Sequence, residues 1–179
     1  MPKTHFPQTG GQSWVDSFYR PTSPTGNVLY VDSTNGTSTG PGYSPETAYN
    51  SIHNASAACT ADNGDTIICM PGGTETVTAA AGLALGKAGV TVISLGVGRQ
   101  RYRVLFTTAI GASCDITAAR VALRNLVFVT GFDAQTAMIN ISAADVVIED
   151  CEIETATASF QAVLGILTTA AANRLILRN

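Results

Sequence analysis

The chain has 179 residues with a formal net charge of −3 at pH 7; 13% of them are charged and 45% hydrophobic. That length gives one domain with room for a core, but an average domain carries about 25% charged residues, so the composition points to a largely buried, stacked protein. The acidic balance lacks the basic excess that a phosphate-binding surface needs, so no nucleic-acid partner is expected.

In chain order, three regions separate. Residues 1–26 hold four of the seven prolines (Pro2, Pro7, Pro21, Pro24) and Gly10-Gly11, which rule out a long regular element. This stretch also holds the only tryptophan, Trp14, with Phe18 and Tyr19. Aromatics in an irregular arm are expected to anchor it on a neighbouring chain or on its own domain. Met1-Pro2-Lys3 lacks the apolar run of a secretory signal, so synthesis in the cytoplasm is expected. Cys59, Cys69, Cys114 and Cys151 then read as free thiols in apolar contexts, with neither a CxxC pair nor zinc spacing.

Residues 27–64 predict a strand, a loop and a helix. The strand is Val28 to Asp32, and the loop from Ser33 to Tyr43 is rich in Gly, Ser and Thr. Ser44-Pro45-Glu46 is a helix start, with a side-chain oxygen at the cap, Pro in the first position and an acid in the first turn. The helix is expected to run to about Cys59, with Ala48, Ile52, Ala55 and Cys59 on one face, and to lie across the open end of a β-stack.

Residues 65–179 read as coils. Thr66 to Met70 is a strand closed by Pro71-Gly72-Gly73, and Val90 to Leu95 belongs to the next coil, with Ile67 and Val90 taken as equivalent positions. Aligning Val90 with Val121 makes the following coil longer, its extra length absorbed by Gly96 to Arg103. Arg99, Arg101 and Arg103 in that insertion read as a solvated rim.

The decisive feature is a repeat. Arg120-Val121-Ala122-Leu123-Arg124-Asn125, Asp145-Val146-Val147-Ile148-Glu149-Asp150 and Arg174-Leu175-Ile176-Leu177-Arg178-Asn179 share one pattern, at intervals long enough for one structural unit each. Strands stacked in a parallel sheet lie about 4.8 Å apart, so equivalent side chains form columns. One charge column is Arg120, Asp145, Arg174; the other is Arg124, Glu149, Arg178. Both alternate in sign, as neighbouring strands require. The residues of opposite parity, Val121/Val146/Leu175 and Leu123/Ile148/Leu177, stack inward. Asn125, Asp150 and Asn179 form a turn column at each bend. Cys114-Asp115-Ile116-Thr117 matches Ile139-Asn140-Ile141-Ser142 before the bend, and Leu126 and Phe128 match Cys151 and Ile153 after it. Three strands per coil predict an all-β fold: a right-handed parallel β-helix with an N-terminal capping helix and an irregular N-terminal arm.

Leu29-Tyr30-Val31-Asp32, the Gly-rich loop, Tyr43-Ser44-Pro45-Glu46-Thr47-Ala48, Asn63-Gly64-Asp65-Thr66-Ile67-Ile68 and Pro71-Gly72 carry a resemblance. Together they resemble the N-terminal part of pectate-lyase-like β-helix proteins, above all those of phage tailspikes and other virion surface proteins. The resemblance covers about 28–179 and implies a trimer with host surface polysaccharide as the usual ligand. Activity does not follow from it, because the fold hosts lyases, hydrolases, adhesins and structural spikes.

Catalytic chemistry is hard to assemble from these residues. Glu152 and Glu154 are two apart on a strand, about 6.6 Å, which falls within the separation of inverting glycosidases. An outward acidic pair of this kind is more often a solvated face. Pectate lyases stack aspartates around calcium, whereas here arginines occupy the column positions, so neither calcium nor another cofactor is expected. His5 and His53 are too far apart in character, one in the arm and one in the helix, to build a metal site or a triad. The uncharged stretch 155–173 contains Thr, Ser and Gln, which argues against a membrane span.

The sequence stops at Asn179, at a bend where the two preceding coils continue. Either a longer chain or a partner is expected to cover that edge. The reading is therefore a phage virion structural protein, a head or tail surface component attached by its arm to other virion proteins, and not an enzyme. The alternatives are a tailspike depolymerase and a bacterial carbohydrate-binding surface module.

Overall fold

The computed structural model describes residues 26–179. The anchoring residues Trp14, Phe18 and Tyr19 lie outside the described residues. Strand β1 (Val28–Val31) leads through a loop to helix α1 (Ile52–Ala58). The first coil is β2 (Thr66–Cys69), β3 (Thr74–Val77) and β4 (Leu83–Leu85), and the second is β5 (Thr91–Ser94), β6 (Arg103–Phe106) and β7 (Cys114–Ile116). The third is β8 (Ala122–Arg124), β9 (Val127–Thr130) and β10 (Ile139–Ile141), and the fourth is β11 (Val147–Glu149), β12 (Glu152–Thr155) and β13 (Ile166–Thr168). Strand β14 (Ile176–Arg178) opens a fifth.

Every strand pairing is parallel, and the strands sort into three sheets. One sheet runs β1-β2-β5-β8-β11-β14, one β3-β6-β9-β12 and one β4-β7-β10-β13. The molecule is a parallel β-helix of about four turns, as the repeat predicts. Ala122 sits on Val147 and Val147 on Ile176, so each interval of the repeat is one coil. Cys114 stacks on Ile139 and Phe128 on Ile153, in the predicted register.

The first coil corrects the expected register. Ile67 lies on Val92, not Val90. Val90 and Val92 have the same inward parity, so burial alone could not distinguish the two alignments.

The helix is also shorter than expected. Pro45–Thr47 is an isolated 3-10 turn, and α1 starts afresh with Ser51 as its cap, the Ser51 hydroxyl accepting the Asn54 N–H at 3.1 Å. The break falls where the backbone has a stronger use. Tyr49 N–H donates to Tyr30 C=O at 2.8 Å and Tyr49 C=O accepts from Asp32 N–H at 2.8 Å, while Gly42 C=O accepts from Tyr30 N–H at 2.7 Å. Segment 42–49 thus closes the outer edge of β1, which a helix could not do. Ala48, Ile52, Ala55 and Cys59 are all buried, as the apolar spacing predicts. Helix α1 packs against β1, β2 and β4, closing the N-terminal end of the stack.

Inside, apolar ladders climb the stack. Ile67, Val92, Leu123 and Ile148 form one; Leu83, Cys114 and Ile139 another; Phe106 and Phe128 stack with centroids 6.3 Å apart. Burying a large apolar side chain contributes about 1.5–3 kcal/mol, and each ladder repeats that gain coil by coil. The gain fades at the C-terminal end: Leu177, next above Ile148, is 59% exposed, and Ile153, above Phe128, is 45% exposed.

Candidate functional site

The three repeat segments place their charges as columns, with differences in detail. In the second column Glu149 lies between Arg124 and Arg178, its carboxylate 3.3 Å from Arg124 Nε and 3.9 Å from an Arg178 nitrogen. Arg124 Nε is out of hydrogen-bond alignment, so that contact is electrostatic.

In the first column Arg120, Asp145 and Arg174 are not strand residues. They sit at the corner before each strand in the left-handed conformation, with φ of 59°, 60° and 58°. Backbone bonds from Arg120 N–H to Ala144 and from Asp145 N–H to Asn173 continue downward from Asp62 N–H to Ala88 and Gly89 N–H to Ala119. The column is therefore Asp62, Gly89, Arg120, Asp145, Arg174. Asp145 pairs with Arg174, whose hydrogen bond holds the Asp145 carboxyl below its usual range, opposed by desolvation and aided by the charges of Arg174 and Arg120. Arg120 reaches the other way, to Asp62 two coils below. Gly89 lies between them and has no side chain to block the path. Its φ of 75° suits glycine as well.

The turn column serves the backbone. Asn125 (φ 56°) donates its side-chain amide to Ser94 C=O at 2.8 Å and Gly96 C=O at 2.7 Å, on the coil below. Asp150 repeats the conformation with φ 53°, and its N–H bonds to Arg178 C=O at 3.0 Å. Asn179 follows Arg178 at the same position of the repeat.

Glu152 and Glu154 project from the outer face of β12, and each is held by an arginine from two coils below. Arg101 pairs with Glu152 and Arg103 with Glu154. This corrects the reading of Arg101 and Arg103 as a solvated rim. To reach their partners the two side chains must cross β9, whose outward residues Val127 and Val129 are each only 2% exposed. The pairs act as straps over an apolar outer strip. Both carboxylates face guanidinium groups, an arrangement unlike an acid and a base flanking a bound sugar and an in-line water.

Two acids that the sequence does not single out are buried structural centres. Asp65 accepts the backbone N–H of Asn27 and Thr60, each at 2.7 Å, and the Asn63 amide at 2.7 Å, tying β1, the end of α1 and β2 together. Glu75 points into the first coil and accepts the Ile52 N–H at 2.8 Å, so it caps α1 from inside. Burial pushes its carboxyl up to about 7, against hydrogen bonds from Ile52, His53 and Tyr102. The alternation of β3, with Glu75 at an inward position, was the available signal.

Cys59, Cys69 and Cys114 are buried and Cys151 half-buried, all as free thiols. Burial pushes Cys59 up to about 12 and Cys151 up to about 11, away from nucleophilic chemistry. Among the described residues no group of three His, Cys, Asp or Glu side chains is placed to hold a metal ion. No helix among them is long and apolar enough to cross a membrane.

At the C-terminal end the stack opens in a recess of about 280 Å³ between Phe128, Ile139, Ile148, Ile153, Ile166 and Leu177. No protein-family model, no curated protein and no solved structure matches this chain.

Proposed function

We propose that this protein is a structural β-helix of a phage virion, a head or tail surface component that its N-terminal arm attaches to other virion proteins. The observation that carries the reading is the pairing of Glu152 with Arg101 and Glu154 with Arg103. The outward acidic pair on β12, with its glycosidase-like sequence spacing, is engaged in holding coils together. The resemblance of 28–179 to pectate-lyase-like tailspike proteins supplies the virion context, and with it a homotrimer and a host surface polysaccharide as the implied contact.

The test has two arms. Mass spectrometry of purified particles should find the chain in fixed stoichiometry with capsid or tail proteins, and deletion of residues 1–26 should leave a folded β-helix that no longer incorporates. Its absence from particles would overturn the reading. Separately, the purified chain should release no reducing ends or unsaturated products from host capsular or lipopolysaccharide preparations. Turnover abolished by Glu152→Gln or Glu154→Gln would instead assign a depolymerase.

A further inference from the structure

Four inward positions of one sheet stack on one another: Glu75 on β3, Val104 on β6, Phe128 on β9 and Ile153 on β12. Three are apolar and the first is an acid, itself only 6% exposed. A carboxyl in that ladder loses its hydration and needs donors in return. Two of them come from α1, the Ile52 N–H at 2.8 Å and the His53 N–H, and a third is the Tyr102 hydroxyl at 3.5 Å. Tyr102 also hydrogen-bonds to Ser33, whose hydroxyl accepts the Thr74 N–H at 2.9 Å. Among the described residues no lysine or arginine pairs with Glu75. The carboxyl thus holds the first turn of α1 to the first coil from the inside.

The titratable neighbours leave Glu75 as the group that changes charge. Burial first, and then neighbouring negative charge, hold Cys69 on β2, Tyr102 just before β6 and Cys114 on β7 in their neutral forms. The charges of Asp65 and Lys87 bear on Cys59, at the other end of α1. On α1 itself the His53 ring accepts the Ala84 N–H through Nδ1 at 3.3 Å, so protonating it would remove an acceptor and loosen α1 as pH falls. Glu75 acts with the opposite sign. Its carboxyl, raised to about 7 by burial, stays neutral while α1 covers it and ionises in water at an ordinary value of 4.5. Lifting α1 therefore releases a proton across that interval and becomes easier as pH rises.

We propose that α1 is a pH-operated latch: loss of the Glu75 proton frees α1 to lift from the first coil and uncover Cys59, while the coils from β5 onward stay folded. Two features make the movement local. Helix α1 has seven residues and depends on its caps and contacts, whereas β5, β6 and β7 are each paired in register with a strand on either side. Cys59 reports it, because its thiol is buried at the C-cap of α1 and donates to Ala55 C=O at 3.3 Å.

The 179-residue chain is treated with a dipyridyl disulfide, which reacts with thiols at acid as well as neutral pH, and the labelled cysteines are located by peptide mapping. Each rate is divided by that of a free peptide spanning the same cysteine at the same pH. Accessibility of Cys59 should rise on the order of 50- to 100-fold from pH 5 to pH 8, the change produced by a carboxyl that moves between about 7 and 4.5. It should exceed that of Cys69 and Cys114 at both pH values, and hydrogen exchange at the Ala55 and Cys59 amides should give the same ratio. Glu75→Gln should flatten the ratio. Ser51→Ala, which removes a cap without touching the titrating group, should raise accessibility at both pH values and leave the ratio unchanged. A flat ratio in wild type, a ratio that survives in Glu75→Gln, or Cys59 opening only together with Cys69 and Cys114 would each overturn the latch.

Discussion

Burial of Glu75 makes the stability of the first coil fall as pH rises. Its carboxyl has a folded pKa of about 7 against an ordinary value of 4.5. A carboxyl raised in this way is protonated in the folded state where the unfolded chain is already ionised. Its contribution is complete below about 4.5 and is lost as pH rises through about 7. The gap corresponds to about 3 kcal/mol. Urea unfolding at pH 5 and pH 8 should show wild type losing stability across that window, while Glu75→Gln, which still accepts the Ile52 N–H, flattens the difference. An unchanged pH dependence in the variant would mean Glu75 is not the group responsible. On the surface, Glu149→Lys would put three like charges in line at distances now 3.3 and 3.9 Å. With side chains 20–25% exposed at Arg124 and Glu149, the expected cost is about 1–2 kcal/mol, read as a lower urea midpoint with unchanged slope. Adding Arg124→Glu should recover part of it.

At the scale of elements, the seven-residue helix α1 is too short to stand by propensity and depends on its caps and contacts. Ser51→Ala should cost about 1 kcal/mol by removing the acceptor for Asn54 N–H. Ile52→Ala, at a residue 1% exposed, should cost about 2–5 kcal/mol. Thermal melts of both variants check the order. The contrast between elements explains what can be read from residues alone. Strands β8, β11 and β14 are legible because three copies of one pattern fix register and parity together. Strands β7 and β10 follow from a two-copy match, Cys114-Asp115-Ile116-Thr117 with Ile139-Asn140-Ile141-Ser142, which fixes their register on each other. The helix start misleads because Ser44-Pro45-Glu46 carries every local signal of a cap, while Tyr49 is claimed by a strand edge no local rule reveals. The partners of Arg101 and Arg103 lie 51 residues away, beyond one coil, so spacing within a coil cannot find them. Arg120 reaching Asp62 passes over Gly89, a neighbour visible only once the coils are stacked.

At the scale of the whole stack formed by residues 26–179, cooperativity is handed from coil to coil, with α1 packed on its first strands and burial falling off along the ladder toward β14. Leu123→Ala, at a position 1% exposed, should cost about 2–5 kcal/mol. Leu177→Ala in the same ladder, at 59% exposure, should cost well under half as much by the same denaturation measurement. Native-state hydrogen exchange tests this graded burial most directly, because it reads opening energy amide by amide. The amides of Val92 and Leu123 should exchange only through global unfolding, while those of Ile176 to Arg178 exchange by local fraying at far lower opening energy. Equal protection of β14 and β8 in the 179-residue chain would contradict the graded burial of this ladder, from Leu123 at 1% exposed to Leu177 at 59%.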